Sequence, residues 1–155
     1  LLKNVSKGTS ALIPLKDELA LVKDYFLIQQ YRYGGNISID YQIGSEDLYR
    51  CLIHRFTLQP IIENAMFHGI EPKGCAGKIA IRAEAKTDGE GNRLLSITVT
   101  DNGIGMSPER IREVLEGEGA PPNDFFRHVG ISNVNRRIQY NFGKAYGITI
   151  KSAVG

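Results

Sequence analysis

The amino-acid sequence predicts a two-layer α/β sandwich, with helices in one layer and strands in the other. Three observations predict it. One long segment repeats its apolar residues at helical spacing, several shorter ones alternate apolar with polar residues, and 155 residues suit a single core.

From Leu15 to about Arg32, Leu15, Leu19, Val22 and Phe26 recur at helical spacing, with Pro14 just before and Gly34-Gly35 just after. A second apolar row, Leu21, Tyr25 and Ile28, makes this face broader than one packing surface needs. The helix is either deeply buried or also meets a partner. Ile37, Ile39, Tyr41 and Ile43 then alternate with polar residues, as in a half-buried strand. Arg55 to His68 reads as a second helix, with Ile61, Ile62 and Ala65 on one side and Pro60 in its first turn or at a kink. The runs Ile79 to Ala85 and Leu95 to Val99 alternate again, and Asp88-Gly89-Glu90-Gly91-Asn92 between them reads as a hairpin connection. Ser107 is placed to cap a short helix with Pro108 at its first position and Gly117 after its end. Glu116 to His128 reads as a loop, Ile131 to Phe142 as a helix, and Ile148 and Ile150 mark a last strand.

Composition excludes several classes. Nineteen basic and 17 acidic residues leave a net charge of +2, too balanced for a nucleic-acid groove. No apolar run approaches the length of a membrane span, and none reads as a signal peptide. Cys51 and Cys75 form no CxxC, and His54, His68 and His128 stand at no ligand spacing, so both cysteines read as free thiols in a reducing compartment. The opening LLKNVSKGTS and the close IKSAVG give the expectation of a piece cut from a longer protein.

Three constellations carry chemistry. In Glu63-Asn64-Ala65-Met66-Phe67-His68, Asn64 and His68 are four apart and share a helix face. The Asn64 amide oxygen is a hard neutral ligand of the kind Mg²⁺ accepts, His68 can donate to a phosphate, and Glu63 could orient a nucleophile or take its proton. An amphipathic helix with its polar side in water explains the same residues. In Asp101-Asn102-Gly103-Ile104-Gly105-Met106, a strand-end carboxylate stands beside glycines that let backbone approach a flat ring. Such an acceptor would select adenine, and Met106 offers the base a soft apolar surface. An ordinary tight turn also uses Asp-Asn-Gly. In Val129-Gly130-Ile131-Ser132-Asn133-Val134, a glycine opens a helix whose unpaired N–H groups could face phosphate. The loop before it, Gly117 to Arg127, is long enough for a lid, and Arg127 could swing to the phosphates.

In this order and spacing the segments resemble the GHKL superfamily, the ATPases shared by gyrase, heat-shock chaperones, histidine kinases and mismatch-repair proteins. LQPIIENAMFHGI resembles the N box, DNGIGM the first glycine box and HVGISNVNRRIQYNFG the second. PLKDELALVKDYFLIQQYRYG and NVNRRI followed by FG look like the LytS/YesM-like group of membrane sensor histidine kinases, so the resemblance covers nearly the whole chain.

That resemblance implies a Bergerat-type fold, with a mixed, mainly antiparallel sheet covered by helices. Residues 1–35 would lead from a phosphoaccepting region outside the chain, and 36–155 would form the ATP-binding catalytic domain, its last strand clipped. Glu63 would polarise an attacking histidine, Asn64 would bind the Mg²⁺ that bridges the ATP phosphates, and His68 would sit near them. Asp101 would accept from the adenine amine, Gly103, Gly105 and Met106 would shape the base pocket, and Gly130 and Ile131 would hold phosphate at the lid hinge. The activity implied is phosphoryl transfer from ATP to a histidine elsewhere, then to a response regulator. The protein would be a homodimer, cytoplasmic in this part and membrane-bound only through other regions of a bacterial sensor. Phe67 stands where many relatives have Lys or Arg, and His128 where they often have glycine, which implies slower chemistry and a stiffer hinge. A nucleotide-sensing module without transfer is the alternative. A serine kinase of the anti-sigma type fits the long first helix less well.

Overall fold

The computed structural model describes residues 11–117 and 125–154, with backbone alone at 125–129. The proposed lid residues 118–124 and the side chains of Arg127 and His128 lie outside the described residues. The elements in order are β1 (Leu12–Pro14), α1 (Leu15–Arg32), β2 (Ile37–Ile43), β3 (Leu52–His54), α2 (Leu58–Asn64), β4 (Gly77–Thr87), β5 (Arg93–Asp101), α3 (Pro108–Glu116) and α4 (Phe125–Phe142).

The main sheet runs β2-β4-β5, with β2 parallel to β4 and β4 antiparallel to β5. A separate antiparallel ribbon joins β1 to β3. Alternation decides which face is covered: Ile79, Ile81 and Ala83 of β4 are buried, while Lys78 and Arg82 on the opposite face are exposed. Leu15, Leu19, Val22 and Phe26 of α1 and Leu58, Ile62, Ala65 and Met66 pack over that buried face in one core. Each large side chain so removed from water contributes roughly 1.5–3 kcal/mol. The result is a two-layer sandwich with a mixed, mainly antiparallel strand arrangement.

Helix α1 has the bounds its periodicity predicts, because Pro14 fixes the entry and the chain turns left-handed at Gly34 and Gly35. Its second apolar row is only half covered, and Ile28 is 63% exposed. Ser107 caps α3, its hydroxyl accepting from Arg110 N at 3.2 Å, and Gly117 closes that helix at φ +77°. Cys51 and Cys75 are both free thiols. Among the described residues, no helix is long and apolar enough to cross a membrane.

Two expectations are corrected. Helix α4 does not open at Gly130; it begins at Phe125, so Gly130 and Ile131 lie inside it. One glycine in an 18-residue helix costs only about 1 kcal/mol. Here it has a packing reason, since a Cβ on Gly130 would meet Pro60 Cβ at 3.1 Å. The segment around Ile148 and Ile150 forms no strand. Both residues are half-buried, so the alternation survives, but Ile148 N donates to Asn135 Oδ1 at 2.8 Å rather than to a strand ladder.

Candidate functional site

Helix α2 is held at its start by another helix. Its N-terminal residue Thr57 provides no side-chain cap, because the hydroxyl donates to His54 O at 2.6 Å. The exposed backbone donors are met instead by Glu18 of α1, 1% exposed, which accepts from Phe56 N and Leu58 N at 2.9 Å each. A carboxylate at a helix N-terminus also complements the helix dipole.

The far end of α2 is different. After Asn64 the chain widens into a π-helical turn, Ala65–Ile70, a feature frequent at functional sites. Sequence reading expects a regular helix to His68. The turn is drawn towards the β5 loop, where Gly69 O accepts from Ile104 N at 2.9 Å. Gly69 and Gly103 lie back to back, and a Cβ on Gly103 would overlap the Gly69 backbone. Gly69 was not legible as a site residue, yet it is what allows the N-box segment and the glycine loop to touch.

Strand pairing fixes the other side. The β4–β5 register sets Ile79 opposite Asp101, and Asn102 prolongs the ladder with its own side chain: its Oδ1 accepts from Lys78 N at 2.7 Å. Lys73 Nζ donates to Asn102 O at 2.6 Å. Asn102 is a second residue that sequence reading passed over. Its neighbour Asp101 is exposed; Oδ1 accepts from Gly103 N at 2.9 Å and would stand 2.8 Å from a Cβ on Gly69. Asp101 Oδ2 accepts no hydrogen bond from the described residues.

Of the other candidates, Asn64 is half-buried and its amide makes no hydrogen bond to a described side chain or backbone group. Glu63 is half-buried and accepts from Gln59 Nε2 at 3.2 Å. His68 is half-buried within the π turn. Gly105 and Met106 are covered by the C-terminal segment: Met106 N donates to Ser152 Oγ at 2.8 Å, and a Cβ on Gly105 would overlap Ala153 O. Gly130 is set against Pro60 of α2, and Ile131 is 2% exposed. The geometry thus joins the Asn64 and Asp101 segments through Gly69, and brings the Gly130 helix onto α2 from the other side.

An open half-buried amide on one segment and an open carboxylate oxygen on its neighbour suit a ligand with both a metal-phosphate end and an amine donor. Among the described residues no three His, Cys, Asp or Glu side chains gather to hold a metal by themselves.

Comparison with known proteins decides the family. Residues 54–155 match the pattern of the histidine kinase-, DNA gyrase B- and HSP90-like ATPases. The chain belongs to that family. As such it is an ATP-binding domain of α/β class. It is 33% identical over 154 residues to the sensor histidine kinase YesM of Bacillus subtilis, covering 98% of this chain and 24% of that protein. It is 34% identical over 145 residues to the sensor histidine kinase YpdA of Escherichia coli, covering 94% and 24%. A putative uncharacterized protein of B. subtilis, YwpD, is 30% identical over 88% of the chain and 45% of its own length. The ATPase domain thus fits the LytS/YesM-like group and spans about a quarter of the length of the two named kinases.

Proposed function

We propose that this domain binds ATP with Mg²⁺ and transfers the γ-phosphoryl group to a histidine on a segment outside the chain. The reading is carried by one observation: the segment bearing Glu63 and Asn64 meets the Asp101 loop at Gly69 and Gly103, with polar groups left open on both sides. Asp101 Oδ2 would accept from the adenine amine, while Gly103, Gly105 and Met106 would border the base. The Asn64 amide oxygen would hold Mg²⁺ jointly with phosphate oxygens, and the ion would supply charge neutralisation. His68 would donate to the phosphates.

In the transfer, a ring nitrogen of the accepting histidine forms the P–N bond as the P–O bond to the β-phosphate breaks and ADP leaves. Glu63 accepts from the other ring N–H and so makes the attacking nitrogen more basic. Positioning supplies most of the rate. Residues 1–35 would lead from the phosphoacceptor segment, a homodimer would bring domain and segment together, and a response regulator would take the phosphoryl group. The domain would lie in the cytoplasm and reach a membrane only through other regions of the protein.

The test is to give labelled ATP to the intact protein and assay for acid-labile, base-stable phosphate on histidine. Label that is lost in Asn64→Ala supports the reading. Intact protein that binds ATP and never labels favours a second reading, nucleotide sensing without transfer. Phe67 supports that second reading, since it puts an apolar ring in the π turn where many relatives have Lys or Arg.

A further inference from the structure

Glu18 occupies a position on α1 where the buried stripe is otherwise mostly apolar, and it spends both carboxylate oxygens on the turn that begins α2. That turn needs external support. Phe56 has φ +62°, a left-handed conformation that bulky residues rarely adopt. Helix α4 grips the same turn from the opposite side: Arg137 Nη2 donates to Arg55 O and to Thr57 Oγ1, both at 3.3 Å. Burial holds the Arg137 guanidinium below its ordinary pKa, and the charge of Glu18 opposes that shift. Its neighbours grip other segments, Arg136 Nη2 donating to Glu116 O at 2.9 Å and Asn135 accepting from Ile148 N at 2.8 Å. Just after α1, Tyr33 Oη donates to Glu71 Oε2 at 2.9 Å in an exposed contact one residue beyond the N-box segment.

The N-box segment is therefore clamped at its start by α1, with Arg137 closing the clamp from the opposite side. Asn64 stands about two helical turns from the Glu18 contact. Asp101 belongs to β5, which is fixed by its own ladder with β4. We propose that Glu18, supported by Arg137, is a positioning residue for the metal-phosphate side of the nucleotide pocket and not for its adenine side. Glu18 touches neither metal nor nucleotide; it sets the direction in which α2 delivers Asn64. The inference rests on the nucleotide-site reading above and deepens it.

The two sides can be separated by titrating the chain calorimetrically with ATP, once in Mg²⁺ and once in chelator. Glu18→Gln keeps the shape but presents one acceptor to two N–H donors. It is expected to lower the affinity in Mg²⁺ about tenfold, the size of effect usual for groups that orient a metal ligand, and to leave the metal-free affinity unchanged. Arg137→Gln is expected to act in the same direction by a smaller factor. Val114→Ala, in the core at α3, controls for lost stability and should not separate the two affinities. Equal loss in both media, or no loss, in folded Glu18→Gln protein would overturn the proposal. If that variant does not fold, Arg137→Gln decides by the same comparison. A wild-type chain with no Mg²⁺-dependent component would instead overturn the nucleotide-site reading, and this inference with it.

Discussion

The two ends of helix α2 treat polar groups in opposite ways. At Leu58 the backbone donors are satisfied by a buried carboxylate from another helix, and the Thr57 and Leu58 side chains are buried. At Asn64 the amide is half-buried without a described partner, and the helix gives way to a π turn set against the Asp101 loop. The first end is arranged for stability, since a buried donor left unmet costs about 1–3 kcal/mol. The second leaves polar atoms available, which a fold tolerates where something else is to fill them. Seven residues thus join an anchor to a site.

Substitutions should separate these roles. The largest effect is expected from Leu58→Ala at the anchored end, where a 1% exposed side chain leaves a cavity: about 2–5 kcal/mol in chemical denaturation. Next comes Gly103→Ala, whose new methyl group overlaps the Gly69 backbone; about 1–3 kcal/mol and a weakened nucleotide site should follow together. Asn64→Ala should change stability by less than about 0.5 kcal/mol, yet abolish Mg²⁺-dependent ATP binding. A large stability loss in Asn64→Ala, or none in Leu58→Ala, would break the contrast.

A smaller effect tests the sheet as a reference away from both ends. Tyr41 Oη on β2 is buried without a hydrogen-bond partner among the described residues, and burial pushes its pKa up to about 12 from 10.0. The raised value means the folded state keeps the neutral phenol. The stabilisation is complete below pH 10 and fades as pH rises towards 12, because the unfolded chain releases the proton first. Tyr41→Phe should flatten that alkaline decline in a denaturation series, while leaving nucleotide binding unaltered.

How much of this was legible follows from what periodicity can encode. The bounds of α1, strand β2 and the hairpin show in the sequence because their apolar residues keep one period from end to end. Ser107 and Gly117 were readable because capping is local. The first turns of α4 were hidden: Gly130 looks like a helix start, and only its fit against Pro60 explains a glycine within the helix. The alternation at Ile148 and Ile150 predicts a strand, but a strand needs a neighbour, and Asn135 takes the Ile148 N–H instead. In the site, Asn64 and Asp101 were marked by residue type and spacing. Gly69, Asn102 and Glu18 were not, since each acts on a segment distant in the chain. The one available clue to Glu18 was an acidic residue lying on a mostly apolar stripe.

The most direct test of the central claim, that Asn64 and Asp101 serve one nucleotide, is a calorimetric titration with ATP and GTP, each with and without Mg²⁺. The wild-type chain should bind ATP in preference to GTP and more tightly with Mg²⁺. Asn64→Ala should lose the metal dependence and keep the base preference, whereas Asp101→Asn should lose the preference and keep the metal dependence. Affinities unchanged in both variants would contradict the account.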